Sequence, residues 1–316
     1  MGGLTAGDDG ASGRPVLVML AAGMAKRYGG CKPLAPVGLH GEAVIDLNAG
    51  DARRAGFGRI VLVLGPASGP AITYHVDRVW PASVPVSLAR QAFPLGTAHA
   101  VLGTRSFVGE KPFAVINADD IYGVPALARL VEHLTSETDH ALVSYQLRDT
   151  VVSTDPLTRG TCQADAGGWL RALVERRKVT LQSDGRFLAD DGLEPKELPG
   201  DTGVSMNLWG FSPAIWPVLE EAVRKAHPDV DPDGTVVGPT PASDTEVLLP
   251  EIVGAMVAGS GPGAGEGPAG RRVRVIAGSG RCIGVTHAGD LPVVRTELAE
   301  MVGRGLRAES PWGAGS

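Results

Sequence analysis

Residues 15–34 read Pro15-Val-Leu-Val-Met-Leu-Ala-Ala-Gly-Met-Ala-Lys-Arg-Tyr-Gly-Gly-Cys-Lys-Pro-Leu34. The short apolar run 15–20 is the pattern of a strand buried on both faces. It opens without a break into the small residues Ala21, Ala22 and Gly23, beside which a polyanion can approach the backbone N–H groups. Lys26, Arg27 and Lys32 then supply cations of two geometries, an ammonium point charge and a planar guanidinium fork. A strand, a small-residue turn and cations in that order describe a phosphate cradle. The spacing is neither G-x-x-x-x-G-K-[ST] nor G-x-G-x-x-G.

Outward from this stretch, strand and helix patterns alternate. Strands are predicted at 59–64, 84–89, 113–118 and 140–147, and helices at 43–56, 94–106, 124–137, 213–226 and 244–258. Such alternation implies an α/β fold with a mostly parallel central sheet, right-handed crossovers and flanking helices, in which ligands sit beyond the carboxyl ends of the strands. After residue 150 the pattern turns β-rich, with strands predicted at 160–166, 169–177, 203–211, 272–277 and 281–287. The expected organisation is a disordered tail 1–13, one domain 14–306 and a disordered tail 307–316. Within the domain, 14–150 forms the nucleotide-binding half and 151–306 the acceptor-binding half. A Gly/Pro/Ala-rich flexible insertion at 259–271 interrupts the latter.

The run 113–118 ends in Asn117-Ala-Asp119-Asp120, which brings carboxylates to the sheet edge that carries the cradle. Hard carboxylate oxygens there suit Mg²⁺, which binds one or two carboxylates together with substrate phosphates. An acidic helix N-cap is the structural alternative. In Gln91-Ala-Phe-Pro-Leu-Gly96-Thr97, an amide that both donates and accepts lies five residues before a glycine that permits close backbone approach. A Gly-Thr turn before a helix also serves as a plain N-cap. His99, one turn into that helix, reads as a packing or hydrogen-bonding residue.

The stretch Leu20-Ala-Ala-Gly-Met-Ala-Lys-Arg27 to Lys32-Pro33 resembles the signature L-A-A-G-x-G-x-R-x(4)-K-P of sugar-phosphate nucleotidyltransferases, the NDP-sugar pyrophosphorylases; the family's second glycine is Ala25 here. The resemblance implies a Rossmann-like nucleotidyltransferase fold and transfer of a nucleotidyl group from a nucleoside triphosphate to a sugar phosphate or sugar-like cyclitol phosphate. It makes Arg27 and Lys32 catalytic, and Leu20, Ala21, Ala22, Gly23, Gln91, Gly96 and Thr97 nucleotide-binding. Asp119 becomes a Mg²⁺ ligand, with Asp120 in the neighbouring, non-ligand place. Leu173-Val-Glu175-Arg-Arg177 is similar to the family's Val-Glu-Lys segment, whose Glu contacts sugar hydroxyls and whose cation faces the sugar phosphate. Strand alternation sends Arg176 and Arg177 to opposite faces without telling which one takes that place. Asn207 falls in a segment similar to the family's Asn-x-Gly strand and is assigned to the acceptor with Glu175. Gly284 stands where the second acidic ligand is expected; Asp290 is the nearest carboxylate and the substitute candidate, or else the cap of a helix starting near Leu291. The base is left open, because the Gly-Thr turn resembles guanylyltransferases and Gln91 resembles uridylyl- and adenylyltransferases.

Two other readings accompany this one: a cytidylyltransferase for a non-sugar phosphate or phosphonate, and an inactive nucleotide-sugar-binding regulator, favoured by Ala25 and Gly284. The 316-residue chain has a net charge of −6 and a pI near 5.7, which argues against non-specific nucleic-acid binding. No apolar run reaches the ~20 residues of a bilayer span, and no signal pattern opens the chain, so the expectation is a cytoplasmic protein with no membrane partner. Assembly into a homo-oligomer is compatible with the sequence. Cys31, Cys162 and Cys282 have the spacing of neither a disulfide framework nor a zinc site.

Overall fold

The computed structural model describes residues 13–23, 30–153, 155–238, 241, 244–259, 272–285 and 287–313. In chain order the strands are β1 (Val16–Ala21), β2 (Arg59–Leu64), β3 (Val86–Arg90), β4 (Phe113–Asn117), β5 (Asp120–Ile121), β6 (His140–Gln146), β7 (Leu157–Ala164), β8 (Leu170–Leu181), β9 (Phe187–Ala189), β10 (Glu197–Leu198), β11 (Gly203–Phe211), β12 (Val273–Ala277) and β13 (Ile283–Gly284). The α-helices are α1 (Val44–Ala55), α2 (Gly69–Val79), α3 (Thr97–Leu102), α4 (Arg105–Val108), α5 (Val124–Ser136), α6 (Trp216–Ala226), α7 (Leu249–Val257) and α8 (Leu291–Gly303).

The apolar runs form the parallel block β3-β2-β1-β4, and its strands are apolar because helices cover both faces. Beyond β4 the sheet continues through β11 as antiparallel β11-β7-β8-β9-β10, while β6 and the parallel β12 extend it on the other side of β11. This is the expected α/β nucleotidyltransferase architecture. Two apolar clusters fill it, one on each face of the sheet, around Met19, Leu62, Ile116 and Tyr122 and around Val18, Phe113, Trp209 and Trp216.

The joint at β11 makes the cleft. Trp209–Phe211 pair with β4, whereas Val204 and Ser205 pair with β7 along the same edge, and the β6 register breaks between Ser205 and Trp209. The backbone therefore bulges at 206–208, where Asn207 adopts φ 58°, a left-handed conformation that a non-glycine residue holds only when its surroundings impose it. The bulge separates the carboxyl end of β4 from β7 and leaves a gap.

Several sequence expectations are corrected. The helix expected over 94–106 breaks into α3 and α4 around Gly103–Thr104, and the strand expected over 281–287 contracts to β13. Helix α2 was not anticipated, since Gly69-Pro70 reads as punctuation, although proline in a first helical turn is well tolerated. Residues 307–313, expected to be disordered, are packed. Arg307 pairs with buried Asp51 at 2.9 Å, and the Trp312 ring lies 5.8 Å from that of Trp80. A polar, Gly-rich composition concealed these two anchors. The tail 1–12 and most of the insertion, 260–271, lie outside the described residues.

Candidate active site

Parallel pairing of β1 with β4 (Leu20 opposite Asn117) aligns the small-residue turn with the acidic turn at one sheet edge. The Ala21 carbonyl accepts from the Ser68 hydroxyl at 2.7 Å, and Ala22 lies so close to Gly65 that a Cβ there would collide with its carbonyl. Among the described residues, nothing lies within 4 Å of where a Cβ on Gly23 would sit. Lys26 and Arg27 lie outside the described residues. Lys32 opens a single 3₁₀ turn with buried Pro33 behind it, and its Nζ lies 3.7 Å from Asp119 Oδ2. Structure thus brings together Lys32 and Asp119, 87 positions apart in the chain.

Three contacts hold the acidic turn in place. Asn48 on α1 donates to the Asp120 carbonyl at 2.8 Å, Val285 N–H donates to the Asp119 carbonyl at 3.3 Å, and Asn117 Nδ2 donates to Asp120 Oδ2 at 3.1 Å. The Tyr122 hydroxyl donates to the Met206 carbonyl at 2.7 Å and accepts from Asn117 N–H at 3.1 Å, which locks the turn onto the β11 bulge. Burial raises the pKa of Asp119 against the opposing charge of Lys32. Asp120 is pushed up to about 7 by burial and by the Asp119 carboxylate next to it. Two adjacent half-buried carboxylates, both raised by burial and one of them also by its neighbour, fit a divalent cation bound to one or two protein oxygens and to substrate phosphates. Among the described residues no cluster of three or more His, Cys, Asp or Glu side chains is arranged for a metal.

Gly284 pairs with Asp120 across β5–β13, and a Cβ on it would collide with Asp120 Oδ1. The missing side chain at the expected second-ligand position therefore makes room for the Asp120 carboxylate. Asp290 lines the cleft, and its Oδ2 accepts from His287 N–H at 2.7 Å, which closes the 3₁₀ turn before α8 rather than capping α8 itself.

A cleft of about 910 Å³ opens from the acidic turn across the gap at β11, lined by Asn117, Asp120, Glu175, Ser205 and Asn207 among others. Ser205 Oγ accepts from Asn207 N–H at 3.1 Å, and Asn207 Oδ1 accepts weakly from Trp209 Nε1 at 3.4 Å. The two arginines after Glu175 are now distinguished. Arg176 is buried away from the cleft, its guanidinium spent on Asp191 at 2.7 Å and on the Leu193 and Pro195 carbonyls. Arg177 lines the cleft beside Glu175, and Nε donates to Glu175 Oε1 at 2.6 Å.

The Gln91–Thr97 turn departs from expectation. Gln91 Nε2 donates to the Gly96 carbonyl and bonds His99 Nδ1, both at 3.0 Å, so its donor end holds the turn and is not presented to a base. Gly96, at φ 95°, does permit close approach, but of the Val247 backbone; Thr97 Oγ1 accepts from Leu249 N–H at 2.8 Å and caps α7. The chain's own 247–249 segment packs on this turn, and nothing local announces the contact, since that segment returns from about 150 residues away. Sequence reasoning also missed Arg159 and Glu251, which line the cleft from β7 and α7 and belong to no motif. Burial lowers the Arg159 pKa while the field of Asp120 raises it. Cys31, Cys162 and Cys282 all have thiols pushed up by burial, Cys162 to about 12, so none is a ready nucleophile.

The family model of the MobA-like NTP transferase domain matches residues 17–186, a span that starts inside β1 and takes in the cradle, the acidic turn and the β7–β8 hairpin. The chain belongs to this family. It is a nucleotidyltransferase, in keeping with its resemblance to the sugar-phosphate nucleotidyltransferases. Among solved structures, the crystal structure of UDP-glucose pyrophosphorylase complexed with UDP-glucose aligns at a TM-score of 0.59 and 14% identity, covering 91% of this chain and 99% of that one. At that identity the likeness is one of fold. No curated protein sequence matches the chain. No described helix is long and apolar enough to cross a membrane.

Proposed function

We propose that the protein transfers a nucleoside monophosphate from a nucleoside triphosphate to a sugar-1-phosphate, or a sugar-like cyclitol phosphate, and releases pyrophosphate with formation of an NDP-sugar. The observation that carries this reading is the continuity of the Lys32–Asp119 edge with a polar cleft that holds Glu175 and Asn207. An acceptor-phosphate oxygen attacks the α-phosphorus in line, the bond from that phosphorus to the bridging oxygen breaks, and its electron pair leaves with pyrophosphate. A phosphomonoester dianion is already nucleophilic, so catalysis rests on positioning and charge neutralisation.

Lys32 serves the α-phosphate, where a compact ammonium meets the charge that accumulates during the transfer, and Arg27 serves the departing β- and γ-phosphates. Asp119 would hold Mg²⁺, with Asp120 beside it, and the ion when bound supplies the neutralisation that lets a triphosphate approach a carboxylate-lined edge. Asn207 in its bulge and Glu175 on β8 face the hydroxyls of the acceptor. The test is a pyrophosphate-release assay with Mg²⁺, five triphosphates and a panel of sugar-1-phosphates, cyclitol phosphates and non-sugar phosphates. Release that requires both a triphosphate and a sugar-like phosphate is expected. No release with any pair, or release confined to a non-sugar phosphate or phosphonate, refutes the assignment.

A further inference from the structure

Among the described residues the acceptor cleft carries more carboxylates than cations. Asp120, Asp155, Glu175, Glu251 and Asp290 all line it, against Arg159 and Arg177. A phosphomonoester dianion entering such a cleft is repelled unless a cation receives it. Arg177 is poorly suited, being exposed and already paired with Glu175 at 2.6 Å.

Arg159 differs in every one of these respects. It is half-buried, and its guanidinium is held by three neutral acceptors: Nε donates to Thr150 Oγ1 at 3.0 Å, one terminal nitrogen to the Thr150 carbonyl at 2.7 Å, and the other to the Thr158 carbonyl at 3.0 Å. Thr150 is itself buried and donates its hydroxyl proton to the Leu147 carbonyl at 2.9 Å, so its oxygen is turned to accept from Arg159. Among the described residues no carboxylate forms an ion pair with Arg159. A guanidinium has five N–H groups, so three bonds leave one N–H on each terminal nitrogen. A partly buried cation fixed in orientation, with the Asp120 charge acting on it only from beyond ion-pair distance, is costly to keep unless an anion completes it.

We infer that Arg159, clamped by Thr150, receives the phosphate of the acceptor, in place of the cation that follows Glu175. The acceptor is then a phosphomonoester whose dianion takes up the two remaining N–H groups, while Glu175 and Asn207 face the rest of the molecule. This inference rests on the function proposed above, and its test separates the two.

Binding of inorganic phosphate is measured by calorimetry, with excess pyrophosphate filling the triphosphate cradle, for the wild type, Arg159→Gln, Arg159→Lys and Thr150→Val; kcat and KM follow for whichever acceptor turns over. Arg159→Gln is expected to weaken phosphate binding and raise acceptor KM about tenfold or more, the loss of charge-assisted hydrogen bonds, and to leave triphosphate KM within about twofold. Arg159→Lys, which keeps charge without the fork, and Thr150→Val, which keeps the fork without its clamp, are expected to fall between. A folded Arg159→Gln protein with wild-type phosphate affinity and acceptor KM overturns the inference. If that variant does not fold, the Lys variant decides, and wild-type values in it overturn the inference equally. If the wild type turns over no acceptor yet binds phosphate through Arg159, the functional proposal fails and the anion site stands.

Discussion

Gly96→Ala tests whether the turn before α3 serves the nucleotide or the chain itself. An alanine Cβ at this position would lie closer than 3.0 Å to the backbone nitrogen and carbonyl oxygen of Val247, and Gly96 holds φ 95°. Both partners are backbone, bonded reciprocally through Val247 N–H to the Leu95 carbonyl and Ala98 N–H to the Val247 carbonyl, each at 2.9 Å, so neither can rotate aside. With ψ 175° the Gly96 backbone is in a conformation essentially reserved to glycine, and it costs another residue about 1–3 kcal/mol. Overpacking typically adds about 1–3 kcal/mol, for a total of about 2–6 kcal/mol. Urea unfolding should show a lower midpoint at unchanged slope. The same displacement moves α7, whose Leu248 cap and Glu251 line the cleft, so acceptor KM should rise in protein that remains folded. Thr97→Val, which removes only the acceptor for Leu249 N–H, should cost about 1 kcal/mol. A Gly96→Ala protein with a wild-type midpoint and a raised triphosphate KM would refute the argument and return the turn to the nucleotide.

Two further outcomes concern stability. His140 is buried with its pKa lowered to about 4, and its Nδ1 accepts from Ser212 N–H at 3.2 Å. Below pH 6.5 the unfolded chain gains a proton there that the folded protein refuses until about pH 4, so stability should fall with pH across that window and the fall should be smaller in His140→Gln, as followed by urea midpoints at pH 7.5 and 5. Arg307→Ala leaves the Asp51 carboxylate buried beside only the more distant Arg54, at 3.7 Å, and should cost about 3–5 kcal/mol in thermal unfolding, whereas a truly disordered tail would cost nothing.

The central strands and the acidic turn were legible because they are local. An apolar run between turn signals is a buried strand wherever it falls, and β2 and β11 lie where the pattern placed them, at 59–64 and 203–211. Asn117-Ala-Asp119-Asp120 follows such a run, so parallel pairing with β1 was enough to bring it beside Lys32. Hydropathy likewise showed no apolar span in the sequence, and no described helix is long and apolar enough to cross a membrane.

What needed the tertiary structure were the roles that depend on what arrives from elsewhere in the chain. Gln91, Gly96 and Thr97 match a nucleotide-binding pattern, yet their polar groups are taken by His99 and by residues 247–249. Asp290 is a carboxylate at the right edge, and a backbone N–H three residues away claims one of its oxygens. Arg176 and Arg177 are equivalent in sequence until Asp191 captures the first and the bulge in the β7–β8 pairing leaves the second at the cleft. Arg159 has no motif, and it becomes a candidate only because Thr150 orients it and, among the described residues, no carboxylate forms an ion pair with it. Sequence determines which groups are present and which segments are strand or helix, since those follow from local periodicity and backbone geometry. Whether a polar group is free for a substrate is decided by which other groups the fold brings within hydrogen-bonding distance.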